Sequence, residues 1–139
     1  MFTKIRVSNG GGKSMAMTTS RKIMLGLIGL FLVIVLLFCA YTWITLHWSY
    51  SKGERAGYIQ KFSEKGWICK TWEGEMAMVA IPGSNPEKFY FSVRDESVVE
   101  NINKTMGKRV VIVYEQHKGV PTNCFGETEY FATAVRIVE

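Results

Sequence analysis

Three groups of residues have the types and spacing to do chemistry. Cys69 and Cys124 are the only thiols outside one long apolar run. In an oxidising compartment they could join as a structural disulfide, closing a loop of about 55 residues and adding a few kcal/mol by restricting the unfolded chain. They lack the C-x-x-C spacing of a redox pair. The second group is His117 with Glu115, Cys124, Glu127 and Glu129, donors of the kind that hold metals. Their spacing is irregular and His47 is remote in sequence, so the set falls short of a zinc signature and reads first as a polar loop. The third is aromatic: Tyr58, Phe62, Trp67, Trp72, Phe89, Tyr90 and Phe91. Such rings stack nucleic-acid bases where a positive groove runs beside them. Most are needed for a core, and strand alternation is expected to leave Trp67, Trp72 and Tyr90 outward as a possible binding face.

No Ser-His-Asp or Cys-His arrangement marks an activated nucleophile. Gly12-Lys13-Ser14 ends like a phosphate-binding loop, but Val7 stands where the first glycine belongs, and no strand precedes it. The expectation is therefore a non-enzyme, with no catalytic residue, cofactor or metal. A ligand- or metal-binding enzyme built on the 115–129 loop is the alternative.

Charge then separates the chain into parts. The formal net charge is +5 over 139 residues. Residues 1–22 hold Lys4, Arg6, Lys13, Arg21 and Lys22 and no acid, so the whole excess lies there. Residues 47–139 hold the other basic residues and all 12 acids, and sum to zero. A basic protein invites a nucleic-acid reading, yet the folded part is neutral, so no nucleic acid is expected as partner.

Residues 23–46 carry no charge, and only Gly26, Gly29, Thr42 and Thr45 fall outside the apolar set. As a helix the run would cover about 36 Å against a hydrocarbon core of about 30 Å. Arg21 and Lys22 close one end; Tyr41, Trp43, Trp48 and Tyr50 cluster at the other, as interfacial anchors do. The run exceeds a cleavable signal's apolar core of about 7–15 residues, which favours an uncleaved signal anchor. The basic flank places the N-terminus in the cytoplasm and the larger part outside, in a bacterium the periplasm.

Beyond the span, strand-like runs cover 54–62, 67–81, 88–94, 108–116 and 128–138. Tyr58 and Phe62 are placed on one side of the first, and Cys69 on the second. A hairpin loop is expected at 63–66, and Gly74 marks a bulge or sharp bend. Asp95 caps a helix over 96–106, with Gly107 past its end. The order β-β-β-α-β-β makes an all-β fold with one short helix, a small five-stranded OB-like barrel behind a single transmembrane helix. The domains are then a basic tail (1–22), the span (23–46), a juxtamembrane linker (47–53) and the barrel (54–139).

The runs Tyr50-Ser51-x-Gly53-x-Arg55-x-Gly57, Lys61-Phe62-Ser63-x-Lys65-Gly66 and Cys69-Lys70-Thr71-Trp72-Glu73-Gly74-Glu75 resemble a family of small single-pass bacterial inner-membrane proteins. Glu115-Gln116-His117 and Cys124-Phe125-Gly126-Glu127-Thr128-Glu129-Tyr130 belong to the same pattern, and the resemblance spans roughly residues 45 to 132. The family is uncharacterised and lends no catalytic residues. Its members sometimes carry a 6-phosphogluconate dehydrogenase label, which this sequence does not support: it has no G-x-G-x-x-G turn and no room for a dinucleotide domain.

The leading expectation is a membrane-anchored, non-catalytic module that presents its barrel to a membrane or periplasmic protein partner, with the lipid bilayer as its other contact. A cytoplasmic nucleic-acid-binding OB module is the alternative if the orientation is reversed.

Overall fold

The computed structural model describes residues 18–138. The basic tail up to Met17, with the glycine-rich Gly12-Lys13-Ser14 run, lies outside the described residues. An apolar helix, α1 (Thr19–His47), comes first. It has 29 residues and buries none of its side chains, and it is long and apolar enough to cross a membrane. Arg21 and Lys22 sit in its first turn. Only Trp48, Ser49 and Tyr50 separate it from the first strand, so the expected linker is shorter and residues 51–53 are already sheet. The alternation rule misses this start because Ser51 to Ala56 turn few apolar side chains inward.

The strands are β1 (Ser51–Lys65), β2 (Thr71–Met78), β3 (Lys88–Val93), β4 (Arg109–Gln116) and β5 (Tyr130–Ile137), with helix α2 (Glu96–Thr105) between β3 and β4. They close in the order β1-β2-β3-β5-β4. All pairings are antiparallel except β3 with β5, which meet in parallel at Ser92 and Phe131 alone. That narrow seam is the partly open side of an OB-type barrel.

Strand β1 belongs to both halves: its first part pairs with β4 and its second with β2. It bends between them at Gly57, where a Cβ would lie 2.2 Å from the Ala77 carbonyl oxygen. An extra residue, Gln60, bulges between Ile59 and Lys61. A one-residue insertion flips every later side chain to the other face. Tyr58 therefore points outward while Phe62 packs on the core, which corrects their placement on one side.

The expected bend at Gly74 is instead a close packing contact. Gly74 sits in regular register with Phe62 and Phe91, and the Phe91 ring occupies the space a Cβ would need, 2.2 Å away. Met76, Phe91, Val93, Ile102, Val110 and Ile112 form the fully buried centre. Helix α2 closes the barrel's end through Val98, Val99 and Ile102. Asp95 caps it, its carboxylate accepting from the Ser97 amide at 2.9 Å, and Gly107 takes a positive φ just past it.

Strand β2 is shorter than expected. Residues 66–70 form the β1–β2 loop, which carries Trp67, Ile68 and Cys69. Gly66 turns it at φ +131°, with a would-be Cβ 1.8 Å from the Cys69 carbonyl oxygen. Trp72 lies on the same side of β2 as Gly74 and Met76 and faces inward.

Candidate functional site

The outer surface of β1, β2 and β3 is read from the register. One row across the sheet is Lys61, Glu75 and Tyr90; the next is Tyr58, Ala77 and Lys88. Tyr58 and Tyr90 are about half exposed, at 48% and 52%. They stand on the two strands flanking β2, so their Cα atoms are separated by two strand spacings, roughly 10 Å. A shallow cleft beside them is lined by Lys61, Lys65, Glu75, Tyr90, Glu127 and Thr128. Lys88 Nζ lies 2.6 Å from Glu75 Oε1, and this hydrogen bond holds the Lys88 ammonium above the ordinary lysine range. Trp67, fully exposed, stands on the β1–β2 loop at one end of this face.

Of the three residues expected to face outward, two do. Tyr90 is outward on β3, and Trp67 is on the loop. Trp72 is not: it is partly buried, stacked on Phe62 with ring centroids 5.1 Å apart, against the core. Tyr58 takes its place, exposed by the Gln60 bulge.

Sequence reasoning also missed Glu73, the organising group of the site. It is 5% exposed on the outward side of β2, under the 117–129 loop that joins β4 to β5. Its Oε1 accepts from Thr71 Oγ1 at 2.8 Å and from the Glu127 amide at 3.0 Å, and its Oε2 accepts from Ser92 Oγ at 2.7 Å. The Thr128 amide in turn donates to Ser92 Oγ at 3.1 Å. A buried carboxylate is tolerated only when its oxygens are satisfied like this. The signal for it was weak: a Glu between Trp72 and Gly74 in a strand whose other residues are mostly apolar. Glu73→Ala should leave the Thr71 hydroxyl and the Glu127 amide without their acceptor, at about 1–3 kcal/mol each, while Ser92 Oγ keeps Thr128 Oγ1 at 2.9 Å. Hydrogen exchange at the Glu127 and Thr128 amides should accelerate by at least tenfold; unchanged exchange would mean that another contact holds the loop.

Cys69 and Cys124 are disulfide-bonded, with Cα atoms 4.9 Å apart and a sequence separation of 55. The bond ties the β1–β2 loop to the β4–β5 loop. Cys69 is on that loop and not on β2, because the strand begins two residues later. Cys39 is free in α1.

The 115–129 segment does not assemble a metal centre. Among the described residues no three His, Cys, Asp or Glu side chains gather as metal ligands. Glu115 is paired with Lys52 at 2.7 Å, Cys124 is bonded to Cys69, and His117 is buried with its Nδ1 3.0 Å from the Thr45 carbonyl oxygen. The expected interfacial residues also find partners: Tyr41 Oη donates to the Gly119 carbonyl oxygen at 2.9 Å, Trp43 stacks on His47, and Lys118 lies over the Tyr50 ring. Trp48 is exposed.

Two carboxylates titrate low. Hydrogen bonds from Ser97 hold Asp95 below the usual range, and the Lys52 hydrogen bond does the same for Glu115. A depressed carboxyl stabilises the fold above its unfolded pKa and loses that contribution as pH falls through the folded one. The melting temperature should therefore decline as pH drops below about 4, the unfolded carboxylate value. Asp95→Asn, which keeps a cap but cannot titrate, should flatten that decline; an unaltered profile would exclude Asp95 as a source.

No protein curated for function matches the chain. Solved structures that resemble it include two crystal forms of the mitochondrial single-stranded DNA binding protein Rim1 from S. cerevisiae. One matches with a TM-score of 0.51 at 14% identity, covering 64% of this chain and 96% of Rim1. A second crystal form gives 0.50 and 11%, covering 66% and 97%. At these identities the likeness establishes the OB fold. It also overturns the expectation of a protein-partner module that meets no nucleic acid, since the solved neighbours are single-stranded DNA binding proteins. The physical fault lay in requiring a strongly positive domain: the exposed rings Tyr58 and Tyr90 share a face with Lys61, Lys65 and Lys88, although Glu127 and Glu75 pair with Lys65 and Lys88 there. The family model described as a domain of unknown function, DUF8785, matches residues 48–138, the barrel with the residues leading into it, and the chain belongs to that family.

Proposed function

We propose that the barrel is a non-catalytic module that binds single-stranded nucleic acid across the outer face of β1, β2 and β3. The observation that carries this reading is the combination on one face of the exposed rings Tyr58 and Tyr90, ended by Trp67, with Lys61, Lys65 and Lys88, of which Lys65 and Lys88 are paired with Glu127 and Glu75. In OB folds the face of strands 2 and 3 and the loops after strands 1 and 4 receive oligonucleotides. Aromatic rings give base stacking at about 1–3 kcal/mol each without sequence preference, and lysines follow the phosphates. The solved neighbours, being single-stranded DNA binding proteins, support the same reading. With about three lysines engaged, binding should weaken with salt at a log–log slope of only about −2. Fluorescence anisotropy of the full-length chain in detergent, titrated with labelled oligothymidylate, tests this. Micromolar or tighter binding with that shallow slope supports it, and no binding at low salt refutes it.

We infer in addition that α1 anchors the barrel in a bacterial inner membrane as a single pass, with the N-terminus cytoplasmic and the barrel periplasmic; the single strand it binds is then one outside the cytoplasm, and the reversed orientation would instead set the barrel before cytoplasmic nucleic acid. The uncharged run of α1, the basic residues before it and the aromatic residues at its far end support this. The Cys69–Cys124 bond fits an oxidising compartment. A reporter fused to the C-terminus that is active only in the cytoplasm would reverse the orientation.

A further inference from the structure

We propose that the Cys69–Cys124 disulfide gates strand binding by fixing Trp67 at the end of the nucleic-acid face; this rests on the function proposed above. The β4–β5 loop has its own anchors, the Glu127 amide on Glu73 and the Thr128 amide on Ser92. The β1–β2 loop has none of that kind. Trp67 and Ile68 bury essentially nothing, at 101% and 98% exposed, so no core contact fixes the loop's tip. Gly66 turns the chain out of β1, and Cys69 is then bonded to Cys124 on the anchored loop. The disulfide therefore transmits the order imposed by Glu73 to the loop that carries Trp67. A ring held in place before the strand arrives forfeits less entropy on binding than a mobile one.

Cys124 is exposed, so a dithiol can reach the bond. One thiolate of the dithiol attacks a sulfur of the pair to give a mixed disulfide, and its second thiol displaces the protein sulfur. Cys69 and Cys124 gain two electrons and two protons and become thiols, and the dithiol is oxidised to its cyclic disulfide. Reduction frees the loop, and Trp67 no longer holds a stacked base.

The test is oligothymidylate anisotropy on the full-length chain in detergent, with and without dithiothreitol, for the wild type, Cys69→Ser/Cys124→Ser and Trp67→Ala. Oxidised wild type should bind about tenfold tighter than reduced, within the range of one stacked base. The double serine variant should match the reduced protein and ignore dithiothreitol. Trp67→Ala should be weak in both states. If reduction melts the barrel by circular dichroism, the double serine variant at a temperature where its spectrum is native supplies the comparison. Equal affinity of oxidised and reduced wild type, or full affinity of the folded double serine variant, overturns the gate while leaving strand binding intact. No binding by the oxidised wild type overturns both.

Discussion

Trp67→Ala combined with Tyr90→Ala should weaken oligothymidylate binding by at least about thirtyfold, since two stacked bases are lost at no less than about 1 kcal/mol each. The thermal melt should barely move, because both rings already stand in solvent: Trp67 is fully exposed and Tyr90 half exposed. Trp72→Ala should behave in the opposite way. Its ring stacks on Phe62 beside the core, so its loss should cost stability and leave affinity nearly unchanged wherever the barrel remains folded. If Trp72→Ala abolished binding in the folded barrel while the Trp67 and Tyr90 pair did not, the strand would have to lie on another surface.

The second large effect concerns the core. Gly74→Ala places a methyl group 2.2 Å from Phe91 Cζ and 2.7 Å from Cε1. Phe91 is completely buried and packs beside Phe62 and Phe89, with ring centroids 6.4 Å and 6.0 Å away, so it has little room to move. Overpacking of this kind costs about 3 kcal/mol at the upper end of its usual range. In a domain of this size that is a fall in melting temperature of roughly 15 °C. Pairing the substitution with Phe91→Leu should recover part of the loss, because the smaller side chain vacates the space the methyl needs. A Gly74→Ala melt within a degree or two of wild type would mean that the barrel yields at this point.

The elements most legible in the sequence were those with a strong period or a clear cap. Asp95 and Gly107 delimit α2 closely, and Phe89, Phe91 and Val93 give β3 its inward face. The β-bulges were not legible. Gln60 in β1, and Thr133, which has no partner between Val113 and Tyr114 of β4, each insert one residue and invert the faces that follow. Thus Tyr58 and Phe62, four residues apart, end on opposite sides, and so do Phe131 and Val135, which pair with Glu115 and with the buried Ile112. Trp67 is outward as expected but on a loop and not a strand, whereas Trp72, an odd step of five residues further on, falls on the opposite side and packs on Phe62. Glu73 was hidden because its partners, Ser92 and the Glu127 amide, lie 19 and 54 residues away. Net charge is a sum, and it takes no account of which rings and charges share a face.

That same sum hides a rival. The basic tail, residues 1–22, carries the whole +5 with no acid and could attract phosphates on its own. Photo-crosslinking of a bromodeoxyuridine-substituted single strand to the full-length chain, followed by peptide mapping, separates the two. Crosslinks at Tyr58, Trp67 and Tyr90 are the expected result. Crosslinks confined to the residues before α1 would contradict the assignment of binding to the barrel.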